Sequence, residues 1–466
     1  GQKAPPGILR NRISDHPKDL SMRNYDSLAI CVPDILLPRP GTHLSKWAVI
    51  ACDQYTSEPH YWRAVEDFVG EAPSTLHLIY PEVHLGEPEA AARIGRIREQ
   101  MKRYLDSGIF TASEGFVYVE RWTGPGIRKG LVAGLDLERY DYQKGSTSLI
   151  RATEGTILSR IPPRVRIREG APLEVPHIMV LVDDPENTVM GPVTAGKASL
   201  EKLYDFELMM GSGRLAGYRV TDRNLEKGII DSLAALADPG RFAAKYGLHQ
   251  GTPVLLYAMG DGNHSLATAK TIWENIKEKA RDKKAVMDSP LRHALVELVN
   301  LHDPALVFEP IHRLLADIAP ERNMIGDMEK LYRGRFRYFK CQSAAEIMGL
   351  VDRQKGSPHR IGLVTPSGFG ALEIFDPDSN LPVGTLQNFL DGFVQEGGAR
   401  DIDYIHGTES VLRLGSRPSC AGFYLPAMDK SELFKTVILD GALPRKTFSM
   451  GEAKDKRFYM EGRKLA

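Results

Sequence analysis

The stretch Val254-Leu255-Leu256-Tyr257-Ala258-Met259-Gly260-Asp261-Gly262-Asn263-His264-Ser265-Leu266-Ala267-Thr268-Ala269-Lys270 changes character twice within its length. Val254 to Met259 is a short apolar run behind Gly251-Thr252-Pro253, the pattern of an interior strand. Leu266, Ala269, Ile272, Trp273, Ile276 and Ala280 then recur at helical spacing. A strand is therefore expected to pass through a polar knuckle straight into a helix. Gly260 and Gly262 permit backbone angles or a close ligand approach that a Cβ forbids, and Asn263 or Ser265 is placed to cap the helix. Free N–H groups at such a start favour an anion. Asp-Gly-Asn is also an ordinary turn sequence, so the local pattern alone divides evenly between scaffold and site. A carboxylate, a carboxamide, an imidazole and a hydroxyl within the five residues Asp261 to Ser265 tip it toward chemistry.

The N-terminal side repeats this logic. After a polar, irregular opening to about Asp26, Leu28 to Val32 reads as a strand. Trp47-Ala48-Val49-Ile50-Ala51 reads as another, delivering Asp53 at its end ahead of a helical Tyr61 to Phe68. Asp53 is a candidate acid, base or metal ligand, or else a turn carboxylate. Ala91, Ile94, Ile97, Met101 and Leu105 trace one helical face, and the runs 115–121 and 128–135 around Thr123-Gly124-Pro125-Gly126 read as a hairpin.

Arg160, Arg164, Arg166 and Arg168 fall within nine residues, interrupted by Pro162-Pro163. Four fixed charges so close repel one another, and their donor forks suit phosphate oxygens. On a strand, Arg164, Arg166 and Arg168 would share one face. The competing reading is an edge strand whose arginines pair with Glu154, Glu169 and Glu174. Asp183-Asp184, at the end of an apolar run from His177, are either partners for Mg²⁺ beside phosphate or a strand-ending turn.

The chain has 466 residues, which is long for a single core, so two or three lobes are expected: 27–250 with the arginine cluster, 251–330 carrying the knuckle, and 331–466 returning to it. Sixty basic against 60 acidic residues argue against general nucleic-acid binding, and the cluster lacks interleaved aromatics. Cys31, Cys52, Cys341 and Cys420 are too scattered for a zinc or disulfide framework. With no apolar run long enough for a bilayer, the expected compartment is the cytoplasm, without membrane partners. Oligomeric state has no sequence signature here.

The knuckle Gly260-Asp261-Gly262-Asn263-His264-Ser265-Leu266-Ala267-Thr268-Ala269 resembles the signature of the family called domain of unknown function 1015. Its commoner form reads Asp-Gly-His-His-Arg; here Asn263 stands for the first His and Ser265 for the Arg. The resemblance extends to Arg151-Ala152-Thr153-Glu154-Gly155-Thr156, to Pro310-Ile311-His312-Arg313, to Asp403-Tyr404-Ile405-His406-Gly407, and to the closing Pro444-Arg445-Lys446-Thr447. It implies an α/β (α+β mixed) fold with a ParB/sulfiredoxin-like core, mixed sheets and additional lobes. It also implies kinship with kinases of free serine.

The expected activity is therefore transfer of a phosphoryl group to a small hydroxyl acceptor, L-serine in the first instance, from pyrophosphate or a nucleotide with Mg²⁺. Asp53, Glu154, Asp261 and His264 are the candidate catalytic groups, Asp261 also the metal ligand. Arg160, Arg164, Arg166, Arg168, Asn263, Ser265, His312, Arg313 and Lys446 are candidates for holding substrate and phosphate. The rival readings are a ParB-like nucleotide-binding regulatory or scaffold protein and a hydrolase of phosphate esters or pyrophosphate using the same anion pocket.

Overall fold

The strand that ends in the knuckle is buried on both faces, and this organises the molecule. Tyr257 and Met259 of the strand Tyr257–Asp261 point into one core with Trp273 and Leu266 of the following helix. Ala258 between them points into a second core built with Phe308, Leu315, Leu390 and Phe423. The neighbouring strand Met179–Val182 divides in the same way, Val180 and Val182 to the first core, Met179 and Leu181 to the second. Period-two alternation with apolar residues on both sides is what a covered central strand requires.

The computed structural model describes residues 22–465. The polar opening to residue 21 lies outside the described residues; the segment directly after it is regular rather than irregular, since Arg23–Tyr25 pairs with Ile30–Val32. Among the described residues the larger sheet has eleven strands. Its main path runs Glu201–Glu207, Arg214–Val220, Phe116–Trp122, Ile127–Asp136, His293–Asn300, Met179–Val182, Tyr257–Asp261, Ile150–Arg151, Tyr140–Asp141. The sheet is mixed: Met179–Val182 is parallel to His293–Asn300 but antiparallel to Tyr257–Asp261. The second sheet has seven strands, all antiparallel, and begins with Phe308–Ala316. The fold is thus mixed α/β with two large sheets and, among the described residues, three two-stranded ones, and the chain crosses between the large sheets after Asn300, inside the 251–330 segment that the sequence groups as one unit. The cause is that Tyr257–Asp261 and Phe308–Ala316 hydrogen-bond to different partners.

Several elements fall where the pattern puts them: the hairpin Phe116–Trp122 with Ile127–Asp136, and the helix Ala90–Asp106. Others shift. Val254 to Leu256 lies before the ladder, the Leu256 N–H donating to Leu149 O at 3.0 Å, and the strand itself runs from Tyr257 through Gly260 and Asp261. Trp47 to Ala51 is not one strand: Leu44–Trp47 is a helical turn and only Val49–Ile50 pairs, with Phe458–Tyr459. The Trp47 indole N–H donates to Met460 O at 3.0 Å, so this segment is shaped by the C-terminus of the chain.

The last residues form a strap back across the first half. Gly462 bridges Leu36, and Arg463–Lys464 pairs with Leu173–Glu174. Its ion pairs are buried: Arg457 bonds Glu297 and Glu461, and Arg463 bonds Glu174 at 2.7 Å. Buried charges are tolerated only when paired this way. The four cysteines are free. Among the described residues no helix is long and apolar enough to cross a membrane.

Candidate functional site

Gly262 sits at φ +80°, and there the strand turns into the helix Asn263–Lys279 without a loop. A Cβ at Gly262 would meet the Ile178 Cα at 3.2 Å. Gly262→Ala is expected to destabilise the protein by about 1–2 kcal/mol through the left-handed backbone, with the Ile178 contact adding to it. Chemical denaturation of the variant checks this. The helix carries no side-chain cap, contrary to the expectation for Asn263 or Ser265. Ser265 is occupied elsewhere, its Oγ lying 3.1 Å from His177 Nε2, and the Asn263 Oδ1 is buried with no hydrogen-bond partner among the described residues.

The knuckle opens on a cleft of about 1910 Å³ between the two halves of the molecule. Asp261 stands at its wall. Its Oδ1 accepts the Gly262 N–H at 3.0 Å and its Oδ2 lies 3.3 Å from Lys456 Nζ. Burial pushes this carboxyl up, but Lys456, His177 and the Gly262 N–H outweigh it and hold it below the usual carboxylate range. Asp261 is an anion at neutral pH. His264 behaves oppositely: burial, then the charges of Arg164 and Arg160, bring it down to about 4. It is a neutral imidazole at neutral pH, and its Nε2 accepts the Ile157 N–H at 3.3 Å.

Glu154 is tied to the knuckle through its neighbours. Thr153 Oγ1 donates to Met259 O at 2.8 Å, and Thr153 O accepts the Leu443 N–H at 2.7 Å. This stitches the Ala152–Thr156 segment to the loop bearing Lys446, itself at φ +54°. Burial raises the Glu154 carboxyl, against the pull of Lys446 beside it. A carboxyl moved toward neutrality can take and return a proton. Asp53 reaches the cleft from the other side; its Oδ1 accepts from Gln54 and its Oδ2 is 3.7 Å from His177 Nε2.

The arginines are not on a strand. Pro162 and Pro163 occupy the first turn of a helix, Ile161–Arg168, where a missing N–H costs nothing. Arg160, Arg164 and Arg166 line the cleft. Arg164 pairs with Glu82 at 2.5 Å, while neither Arg160 nor Arg166 has a carboxylate within ion-pair reach among the described residues. Arg168 is a tether: it bonds Glu174, which also holds Arg463, and does not line the cleft.

Two further expectations are corrected. His312 and Arg313 are buried in the strand Phe308–Ala316 and do not line the cleft. The His312 Nδ1 accepts the Leu425 N–H at 3.1 Å, and Arg313 donates to Ile311 O, Arg445 O and Gln387 Oε1, so His312 holds the chain just after the strand Ala421–Tyr424 and Arg313 ties the helix Pro382–Gln395 and the Arg445 loop to the second sheet. Asp183 is buried against His302, Tyr246 and Lys245, and Asp184 accepts the Val189 N–H at 2.8 Å, so that pair is a scaffold turn that does not line the cleft.

Sequence reading did not assign several cleft residues and supports. Lys456 neutralises Asp261, and Tyr459 Oη bonds His177 Nδ1 at 2.9 Å. Both come from the C-terminal strap. Across the cleft, Arg445 bonds Tyr404 and, at 2.6 Å, Asp391. Tyr404 and Arg445 lie in the motifs 403–407 and 444–447 that stand out in the sequence, whereas Lys456, Tyr459 and Asp391 carry no such signal.

Among the described residues no group of three or more His, Cys, Asp or Glu is disposed to hold a metal. A magnesium ion keeps several waters and is usually held by one or two carboxylates with substrate phosphates, so the donor set that fits is Asp261 together with a phosphate ligand.

The sequence model of the family described as protein of unknown function (DUF1015) matches residues 36–393. No curated protein matches the sequence. Among solved structures, a free serine kinase variant in complex with AMP aligns with a TM-score of 0.36 and 11% identity, covering 72% of this chain and 92% of that one. A conserved hypothetical protein from Pyrococcus furiosus gives 0.34 and 9%, covering 72% and 94%. SbnI from Staphylococcus aureus, C-terminally truncated, gives 0.33 and 9%, covering 70% and 85%.

Proposed function

We propose, since the chain belongs to the DUF1015 family of proteins of unknown function, that its cleft transfers a phosphoryl group from pyrophosphate or a nucleotide to a small hydroxyl acceptor, with L-serine the first candidate. One observation carries this reading. Asp261, His264, Glu154, Lys446, Arg160, Arg164 and Arg166 come from segments far apart in sequence yet face a single cavity. Phosphoryl transfer asks for little covalent chemistry from a protein; it asks for positioning and for positive charge around the transferred group. Arg160 and Arg166, which have no carboxylate partner among the described residues, offer guanidinium groups to the donor, and Arg164 is held at the same wall by Glu82.

Glu154 takes the proton of the acceptor hydroxyl, a role suited to its raised affinity for protons. Asp261, with donor phosphate oxygens, would hold Mg²⁺, whose contribution is charge neutralisation. His264, neutral in the free protein, gains proton affinity when a phosphate anion offsets Arg160 and Arg164, and so can take up a proton and donate a hydrogen bond to a phosphate oxygen. The choice of L-serine rests on the knuckle motif alone, and a nucleotide-gated scaffold or a hydrolase would use the same wall.

The test is to incubate the protein with Mg²⁺, L-serine and either pyrophosphate or ATP and to assay O-phosphoserine and inorganic phosphate. Accumulating O-phosphoserine supports the reading. Phosphate release indifferent to L-serine would assign a hydrolase, and binding without turnover would assign the scaffold.

A further inference from the structure

Ser265 lines the cleft and its Oγ is 3.1 Å from His177 Nε2. His177 is buried, and its other nitrogen, Nδ1, is 2.9 Å from Tyr459 Oη. Tyr459 is in turn fixed by the Cys52 N–H, which donates to Oη at 3.0 Å. A hydroxyl within hydrogen-bond reach of an imidazole, with the imidazole oriented by a third group, is the arrangement of an activated nucleophile. Asp53 adds the remaining element: its Oδ2 lies 3.7 Å from His177 Nε2, close enough to stabilise an imidazolium.

We propose that Ser265 is a covalent nucleophile that accepts the phosphoryl group from the donor before it reaches the acceptor, with His177 as its base and Tyr459 as the positioning residue. The inference rests on the phosphoryl-transfer reading and makes that transfer a two-step reaction. It requires the His177 tautomer with its proton on Nδ1, donated to Tyr459 Oη; the two lone pairs of Oη then accept this bond and the one from Cys52.

In the first step Ser265 Oγ attacks the terminal phosphorus of pyrophosphate or of a nucleoside triphosphate. The Oγ–P bond forms, the bridging P–O bond breaks, its electron pair leaves on phosphate or on the nucleoside diphosphate, and the serine proton passes to His177 Nε2. In the second step the acceptor oxygen attacks that phosphorus and its proton goes to the Glu154 carboxylate. The P–Oγ bond breaks and His177 returns its proton to Oγ. Phosphate and hydroxyl groups balance, and no oxidant or further reactant is needed. The first turn of the helix supports the step: the first helical bond is Leu266 N–H to Gly262 O at 3.0 Å, so the preceding N–H groups are not used within the helix.

The full chain is incubated with Mg²⁺ and pyrophosphate, or with ATP, without any acceptor. Two quantities are read: phosphoryl incorporation by intact mass and peptide mapping, and exchange of isotopically labelled phosphate into pyrophosphate or of labelled ADP into ATP. The expected result is exchange with one phosphoryl group on Ser265, both lost in Ser265→Ala, a substitution that a helix tolerates. Labelling and exchange without transfer to L-serine would keep this inference and remove the proposed acceptor. O-phosphoserine formed without exchange, and at an unchanged rate in Ser265→Ala, would overturn the covalent step and leave the proposed function standing. Absence of label, exchange and product with both donors would overturn both.

Discussion

Asp261→Asn leaves the protein folded and lowers turnover by on the order of a hundredfold or more. The substitution keeps an oxygen to accept the Gly262 N–H, now 3.0 Å from Oδ1, so the turn into the helix survives. What it removes is the negative charge that pairs with Lys456 at 3.3 Å and that would hold a metal beside the donor phosphates. Because Asp261 is ionised at neutral pH and its side chain is 23% exposed, the folded state loses a partly screened pair and little stability. Melting temperature and turnover on one preparation separate the effects. Wild-type turnover in a folded variant would return the knuckle to scaffold and leave the arginine wall to explain any activity.

Arg457→Ala is expected to cost about 3–5 kcal/mol of stability, the range for removing one partner of a buried ion pair. Arg457 is the shared cation of Glu297 and Glu461, and all three side chains are at most 5% exposed. Its loss leaves two buried carboxylates without their shared cation; among the described residues Arg128, at 3.8 Å, is then the remaining cation within ion-pair distance of Glu297. It also loosens the strap that carries Lys456 and Tyr459 to the cleft, so activity falls with stability. Urea denaturation measures the first effect. Arg400→Ala is the control: its pair with Asp317 is exposed on both sides and screened by solvent, and its loss is expected to leave the denaturation midpoint close to that of the wild type. Equal effects from the two substitutions would show that the strap is not held by its buried charges.

The central strand and helix are legible in the sequence because burial on two faces demands an unbroken apolar run, and because helical spacing after a glycine knuckle has no other common explanation. The four arginines are legible as a charge cluster but not as a helix. Spacing of i, i+2, i+4 suggests a strand, and Pro162-Pro163, which begins the helix, looks like an interruption of it. His312 and Arg313 illustrate the reverse error: polar residues inside a strand read as chemistry, yet their donors and acceptors are spent on groups of other segments.

His177, Lys456 and Tyr459 carry no local signal. Tyr459 meets His177 across 282 residues of sequence, and only the register of the C-terminal strap against Val49–Ile50 brings it there. The donor wall, by contrast, combines residues that stand out in the sequence, and Glu154 reaches it through pairing of its neighbours with the loop of Lys446.

Binding of pyrophosphate, followed by thermal unfolding with and without Mg²⁺, tests the central claim most directly, since a ligand that binds only the folded state stabilises it by mass action, about 2.7 kcal/mol at a hundred times Kd. The expected result is a raised melting temperature in the wild type, a smaller rise in Arg160→Gln with Arg166→Gln, and none with a neutral solute. An unchanged melting temperature at saturating pyrophosphate, with and without Mg²⁺, would contradict a phosphate-binding cleft.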